Sequence, residues 1–260
     1  MRYPVSFLLL LVPTPAFGQK AVTYSPGTGR FRLVSHSHLE QQIEGNKQEG
    51  NFMLELLATA AVTPLAPSRL RVSFVLDSMR AEGGMITAAE MGRAKGTRLS
   101  AVLGPDGQVT ELAGDSLLSG QLQNVAASTK TFFPRIPAAG AEPGQQWVDT
   151  TDTKTVGASQ LTIHSINNRR VVEWTDHGGR RALRIEVTGQ YTITGTGQQM
   201  GQDFTVNGTG QKLATQYLSA DGHYLGSTTR DSSNVTVALT AMGMNIPSMT
   251  VRNDTVSTIP

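Results

Sequence analysis

The chain has no cysteine among its 260 residues, which excludes disulfides, thiolate zinc sites, iron–sulfur clusters and cysteine nucleophiles. Charge is also scarce: 16% of the residues are Asp, Glu, Lys or Arg, and the formal net charge is +2. No run of five or six like charges forms the basic stripe that a phosphate backbone requires. Because 38% of the residues are hydrophobic, a charge-rich disordered chain is excluded as well. The composition predicts a folded protein that binds no nucleic acid.

The start of the chain has the form of a secretory signal peptide. Met1-Arg2 supplies the positive charge, Val5–Val12 is apolar or small, and Pro13 follows. The junction Ala16-Phe17-Gly18 carries small residues where signal peptidase needs them, so we expect cleavage before Gln19. A membrane-spanning helix needs about 20 apolar residues, and this run is shorter.

Removal of residues 1–18 leaves a mature chain, 19–260, without a membrane span. The junction has no cysteine, which excludes lipid attachment of the bacterial lipoprotein type. An exported chain without cysteine fits a compartment where disulfides are optional. We therefore expect a periplasmic or extracellular bacterial protein.

Three runs after the leader alternate between apolar and polar residues, as half-buried strands do. In the first run, Phe31, Leu33 and Leu39 share one face. The runs 52–62 and 70–76 repeat the pattern, and each of them follows a turn. Their succession predicts an antiparallel meander with one dry face.

One segment has helical spacing instead. Apolar or small residues recur at Leu118, Leu122, Val125, Thr129 and Phe132. Asp115 or Ser116 can cap its start, and Pro134 ends it. The pattern predicts one long helix of about five turns.

Two shorter signals precede that segment. Thr87-Ala88-Ala89-Glu90 is a capping-box pattern and predicts a short helix. Gly104-Pro105-Asp106-Gly107 predicts a hairpin turn between two short strands.

From Gln145 onward the pattern returns to strands. The clearest alternation runs from Leu183 to Ile193, and a turn is predicted at Asn167-Asn168. Glycines at 208, 210 and 226 interrupt later strands, where they permit a sheet to bend.

The predicted fold class is mainly β. We expect a strongly twisted or partly closed, half-barrel-like antiparallel sheet of about ten to twelve strands, with the long amphipathic helix on its concave face. Residues 19–260 form a single domain with a candidate seam in the Pro/Gly-rich segment 136–144.

Two sequence motifs beside this segment resemble those of a known protein family. Phe132-Phe133-Pro134-Arg135-Ile136-Pro137 is followed by Pro143-Gly144-Gln145-Gln146-Trp147. This order of helix exit and strand start resembles an uncharacterised family of secreted bacterial β-rich proteins, a domain of unknown function. More remotely, strands wrapped around a helix resemble the half-barrels of periplasmic lipoprotein carriers, without a shared residue motif. The resemblance implies a fold and transfers no functional residues.

His36 and His38 are the best metal-site candidates. Two residues apart on a strand, their imidazoles share a face and lie about 7 Å apart. That face otherwise carries Arg32 and Glu40, as a solvated strand does, and no third ligand is assigned. We predict no metal site, no cofactor and no catalytic residue.

The leading functional hypothesis is an exported, non-catalytic protein that binds an apolar or amphiphilic small molecule between sheet and helix. The predicted ligand-lining residues are Leu118, Leu122, Val125 and Phe132. One alternative is a cell-envelope structural or protein-interaction module with a filled core, whose protein partner is unknown. A second is a hydrolase whose site has no recognisable motif.

Overall fold

The computed structural model describes residues 21–84, 86–114, 118, 121–154, 159–199 and 202–260, and these residues form eleven strands and two short helices. The first half contains β1 (Gly27–Ile43), β2 (Asn46–Ala66), β3 (Arg69–Glu82), α1 (Ala88–Ala94), β4 (Arg98–Leu103), β5 (Val109–Ala113) and α2 (Gln121–Ser128). The second half contains β6 (Gln146–Lys154), β7 (Ser159–His177), β8 (Arg180–Gln199), β9 (Gln202–Ser219), β10 (Tyr224–Leu239) and β11 (Met244–Ile259). The predicted leader and the predicted caps Asp115 and Ser116 lie outside the described residues.

All eleven strands belong to one antiparallel sheet in the order β5-β4-β3-β2-β1-β11-β10-β9-β8-β7-β6. Each half of the chain is a meander, and the two meanders join where β1 pairs with β11, from Arg30 opposite Ile259 to Gln41 opposite Ser248. β5 and β6 are the two edges, and no ladder in the described part of the chain closes the sheet. The predicted antiparallel, mainly β architecture is confirmed.

Alternation gives the sheet two unlike faces. In β3, Val72, Phe74 and Leu76 are almost fully buried, whereas Arg71, just before them, is exposed. We call the face with these apolar residues the inner face, because α2 packs there through Leu122 and its neighbours. The opposite face is the outer face. A second apolar cluster, centred on Leu183, lies on the inner face of β7 to β9.

The sheet is strongly curved. Leu99 of β4 and Lys212 of β9 line one space, although five strands separate β4 from β9. In a flat sheet, strands about 4.8 Å apart would place these residues about 29 Å from each other. Glycines on the inner face assist the bend: a Cβ at Gly210 would lie 2.1 Å from Cζ of Tyr191, whose ring covers that position.

The prediction of one long helix is wrong. α2 covers Gln121–Ser128 and is followed by a single 3₁₀ turn at Thr129–Thr131. Two side-chain hydroxyl groups explain why the α-helix ends at Ser128 and passes into a 3₁₀ turn. Oγ of Ser128 donates to the Val125 carbonyl at 2.6 Å, and Oγ1 of Thr129 donates to the Ala126 carbonyl at 2.6 Å. Such bonds compete with the regular helical pattern and tighten the last turn.

The predicted turn at Asn167-Asn168 is also wrong, because both residues lie inside β7. Asn167 is buried on the inner face, opposite Gly189 of β8. A Cβ at Gly189 would lie 2.5 Å from Oδ1 of Asn167, so the glycine makes room for the asparagine amide. Partners on a neighbouring strand therefore override the local turn preference.

Two other local predictions are confirmed. The side chain of Thr87 accepts from the Glu90 backbone and Glu90 accepts from the Thr87 backbone, so the capping box starts α1. β4 and β5 flank the predicted Pro-Asp-Gly turn. Neither helix in the described part of the chain is long and apolar enough to cross a membrane.

Candidate functional site

A groove runs between α2 and the inner face of the sheet. It consists of two adjoining spaces with volumes of about 120 and 260 Å³. Both spaces are lined by the same six residues, namely Leu33, Leu56, Val125, Ser128, Arg252 and Asp254. Small-molecule sites enclose roughly 300–1,000 Å³, so this inner groove reaches the lower end of that range.

One wall of the inner groove is apolar and comes from β1 to β4. Leu33, Leu56 and Phe74 line it. Phe132, just after the 3₁₀ turn, closes one end, because its ring packs edge-on against Phe31 and Phe74 at centroid distances of 5.1 and 5.2 Å. This wall suits a hydrocarbon chain, which offers no hydrogen bonds and gains by leaving water.

The opposite wall is polar, and it continues into a belt of charged residues across the inner face of β6 to β11. At one end of this polar belt, Nε of Arg169 lies 2.6 Å from Oδ2 of Asp149, and both side chains are about nine-tenths buried. Nη1 of Arg169 also donates to Oε1 of Gln216 at 3.1 Å. Burial lowers the pKa of Arg169, and the Asp149 carboxylate opposes that effect. The guanidinium is thus satisfied by neighbours on two strands.

The other end of the polar belt contains four further charged residues, in or beside the groove. Nε of Arg252 lies 3.0 Å from Oδ2 of Asp254. Oδ1 of Asp231 accepts a hydrogen bond from the Tyr191 hydroxyl at 2.6 Å, and burial together with that bond raises the pKa of Tyr191. Lys212 stands between these groups and lines the groove itself.

Lys212 differs from the rest of the polar belt. It lies opposite Asp231 on β10, yet no carboxylate of the described residues comes within 4 Å of its ammonium group. Burial, and next the positive charge of Arg169, lower the pKa of Lys212. A cation in this position gains from any anion that reaches it.

The structure places the four predicted ligand-lining residues in two settings. Val125 and Phe132 line the inner groove. Leu118 and Leu122 are only 3% and 2% exposed, belong to the main core, and line neither space. Sequence reasoning missed Lys212, although a signal was available: it shares the parity of buried residues along β9, where a lone cation is unusual.

The two candidate metal ligands lie on the outer face of β1. Nδ1 of His38 is 2.9 Å from Oδ1 of Asn51, and its Nε2 is 3.2 Å from Oε1 of Glu40. His36 is exposed beside them. Within the described ranges, no group of three or more His, Asp or Glu is arranged to hold a metal ion.

Other depressions in the surface have a different character. Two on the outer face measure about 490 and 450 Å³ and are lined largely by Thr, Gln and Asn side chains. A third, of about 300 Å³, lies at the end of the sheet near Tyr24 and His223 and is lined by a mixture of polar and apolar groups. The inner groove combines an apolar wall with buried charges, and it is therefore the candidate site.

No protein-family model matches the chain, and comparison with curated proteins finds no relative. Among solved structures, DynF from the dynemicin biosynthesis pathway of Micromonospora chersina aligns over 98% of this chain and 92% of its own, at 11% identity and a TM-score of 0.25. OccK2 of Pseudomonas aeruginosa aligns over 90% of this chain and 98% of its own, at 8% identity and a TM-score of 0.32. Likenesses this weak assign neither a fold family nor a function.

Proposed function

We propose that this protein is an exported, non-catalytic binder that holds one apolar or amphiphilic molecule in the inner groove. The observation that carries the proposal is the groove itself, with an apolar wall on β1 to β4 and α2 above it. The shortness of α2 supports it. A helix of eight residues spans about 12 Å, and among the described residues part of the inner face beside it stays uncovered.

The sheet contributes a second argument. Half-buried apolar side chains continue along the inner face, for example at Ile193 and Val237, on either side of the buried Val206. On a half-barrel-like sheet they extend the apolar surface away from α2, where a longer ligand tail can follow. Exposed apolar surface of this kind commonly marks a binding region.

The proposal includes export of the chain to the periplasm or the exterior of a bacterium. The support is the amino-terminal sequence, with its short apolar run and its small residues before Gln19. Mass spectrometry of the mature amino terminus tests this part of the proposal.

A neutral fluorescent probe tests the binding proposal without involving any charge. We expect N-phenyl-1-naphthylamine to bind saturably and to raise the unfolding temperature as its concentration rises. At 100 times the dissociation constant, the stabilisation should be about 2.7 kcal/mol. The variant Val125→Trp places an indole in both parts of the groove and should abolish the saturable binding while the protein stays folded.

Ala127→Trp is the matched control, because Ala127 lies on the exposed side of α2. It should bind the probe as the unmodified protein does. Absence of saturable binding in the unmodified protein, or equal binding by both variants, would overturn the proposal. An envelope interaction module would then be the better explanation, and the exposed Met242 at the β10–β11 turn would be the first surface to test.

A further inference from the structure

Lys212 is the cation of the polar belt that has no carboxylate within 4 Å among the described residues, although Asp231 lies opposite it on β10. Its neighbours have other partners: Oδ2 of Asp149 and Gln216 bond to Arg169, Oδ2 of Asp254 pairs with Arg252, and Asp231 accepts from the Tyr191 hydroxyl, while Oδ1 of Asp149 and Oδ1 of Asp254 are buried without a hydrogen-bond partner among the described residues. Holding an ammonium group half-buried without a counter-ion is costly. The cost is tolerated where a ligand supplies the missing charge.

The surroundings of Lys212 indicate what kind of ligand could supply a negative charge to its ammonium group. Lys212 lines the same space as the apolar side chains Leu33, Leu56 and Phe132. Ser227 and Thr229, on the inner face of β10, line that space as well and offer hydroxyl groups. A molecule that fills this space therefore meets hydrocarbon on one side and a cation with hydroxyl donors on the other.

We propose that Lys212 binds the anionic head group of an amphiphile whose single acyl chain lies in the inner groove. This inference rests on the proposed function and specifies the ligand class. An ammonium group is a compact point charge with three rotatable donors, so it accepts either a carboxylate or a phosphate ester. The volume of the groove fits one chain rather than a diacyl lipid.

The two arginines of the polar belt already pair with carboxylates, so Lys212 is, among the described residues, the only cation of the belt that is left to bind an anion. Arg169 and Arg252 are each held by a carboxylate, and the Asp231 carboxylate lies opposite Lys212 without forming an ion pair with it. The field at the groove is therefore not strongly positive. Selection must come from the contact with Lys212 and not from long-range attraction.

Isothermal titration calorimetry with three ligands of equal chain length tests the inference: dodecanoate, dodecyl phosphate and the uncharged dodecanol. In the unmodified protein, both anions should bind more tightly than the alcohol. Lys212→Met keeps most of the side-chain stem and removes the charge, and it should weaken anion binding by about 10- to 100-fold, the range of one charge-assisted contact. Dodecanol and the neutral probe should bind equally to both proteins.

Lys154→Met is the matched control, because Lys154 is exposed at the end of β6, and it should leave all affinities unchanged. Equal anion affinity in the unmodified protein and in Lys212→Met, with the neutral probe still bound, would overturn the head-group inference and leave the proposed function intact. Failure of every ligand to bind the unmodified protein would overturn both. Stronger binding of one anion than of the other identifies the head group as carboxylate or phosphate.

Discussion

Replacing Asp149 by alanine removes the carboxylate that pairs with the buried Arg169. The side chains are 11% and 9% exposed, so the guanidinium left behind has little access to water. Loss of one partner of a buried ion pair costs about 3–5 kcal/mol. Gln216 still accepts one hydrogen bond from Arg169 at 3.1 Å, which favours the lower end of that range.

For a domain of this length, about 3 kcal/mol corresponds to a fall in Tm of roughly 6–12 °C. Urea unfolding followed by circular dichroism measures the change in free energy directly. The double variant Asp149→Leu with Arg169→Met removes both charges and should recover most of the loss, because well-packed apolar residues replace a buried pair at little cost.

The pair Arg80–Glu82 is the control, because it has the same 2.6 Å separation with side chains 69% and 55% exposed. Glu82→Ala should leave stability unchanged, since solvent screens an exposed pair. Should Asp149→Ala cost no more than Glu82→Ala, the reasoning from burial would be refuted.

Two further outcomes are expected. Leu122→Ala should destabilise the protein by about 2–5 kcal/mol, because Leu122 is fully buried where α2 meets the sheet, whereas Leu213→Ala on the outer face should be nearly silent in the same urea titration. Equal effects would mean that α2 does not pack on the sheet. Protein recovered from its host envelope should begin at Gln19, and an intact Met1 in the mass spectrum would contradict the predicted leader.

Alternation along the chain was enough to predict the sheet. In runs such as Val72, Phe74 and Leu76, a period of two leaves only one arrangement that buries the apolar side. The capping box at Thr87 and the Pro-Asp-Gly turn were equally local signals, and both elements formed where expected.

The length of α2 was not predictable from the apolar spacing, because that spacing ignores hydroxyl groups that bond back to the chain, as those of Ser128 and Thr129 do. The placement of Asn167 inside β7 depends on Gly189, a residue on another strand. Val125 and Phe132 were predicted ligand-lining residues and do line the groove, but Lys212 gains its setting from strands distant in sequence. Such neighbours follow from register and curvature, which no local pattern encodes.

The pairing of β1 with β11 is the least local contact in the sheet that the structure describes. Each meander assembles from strands adjacent in sequence, but the ladder that unites them joins residues more than 200 positions apart, such as Arg30 and Ile259. Until β11 is in place, β1 has an unpaired edge and Phe31 has only part of its apolar surroundings. Non-local pairing of this kind slows folding. The complete groove therefore requires both meanders, since Leu33 comes from the first strand and Arg252 from the last.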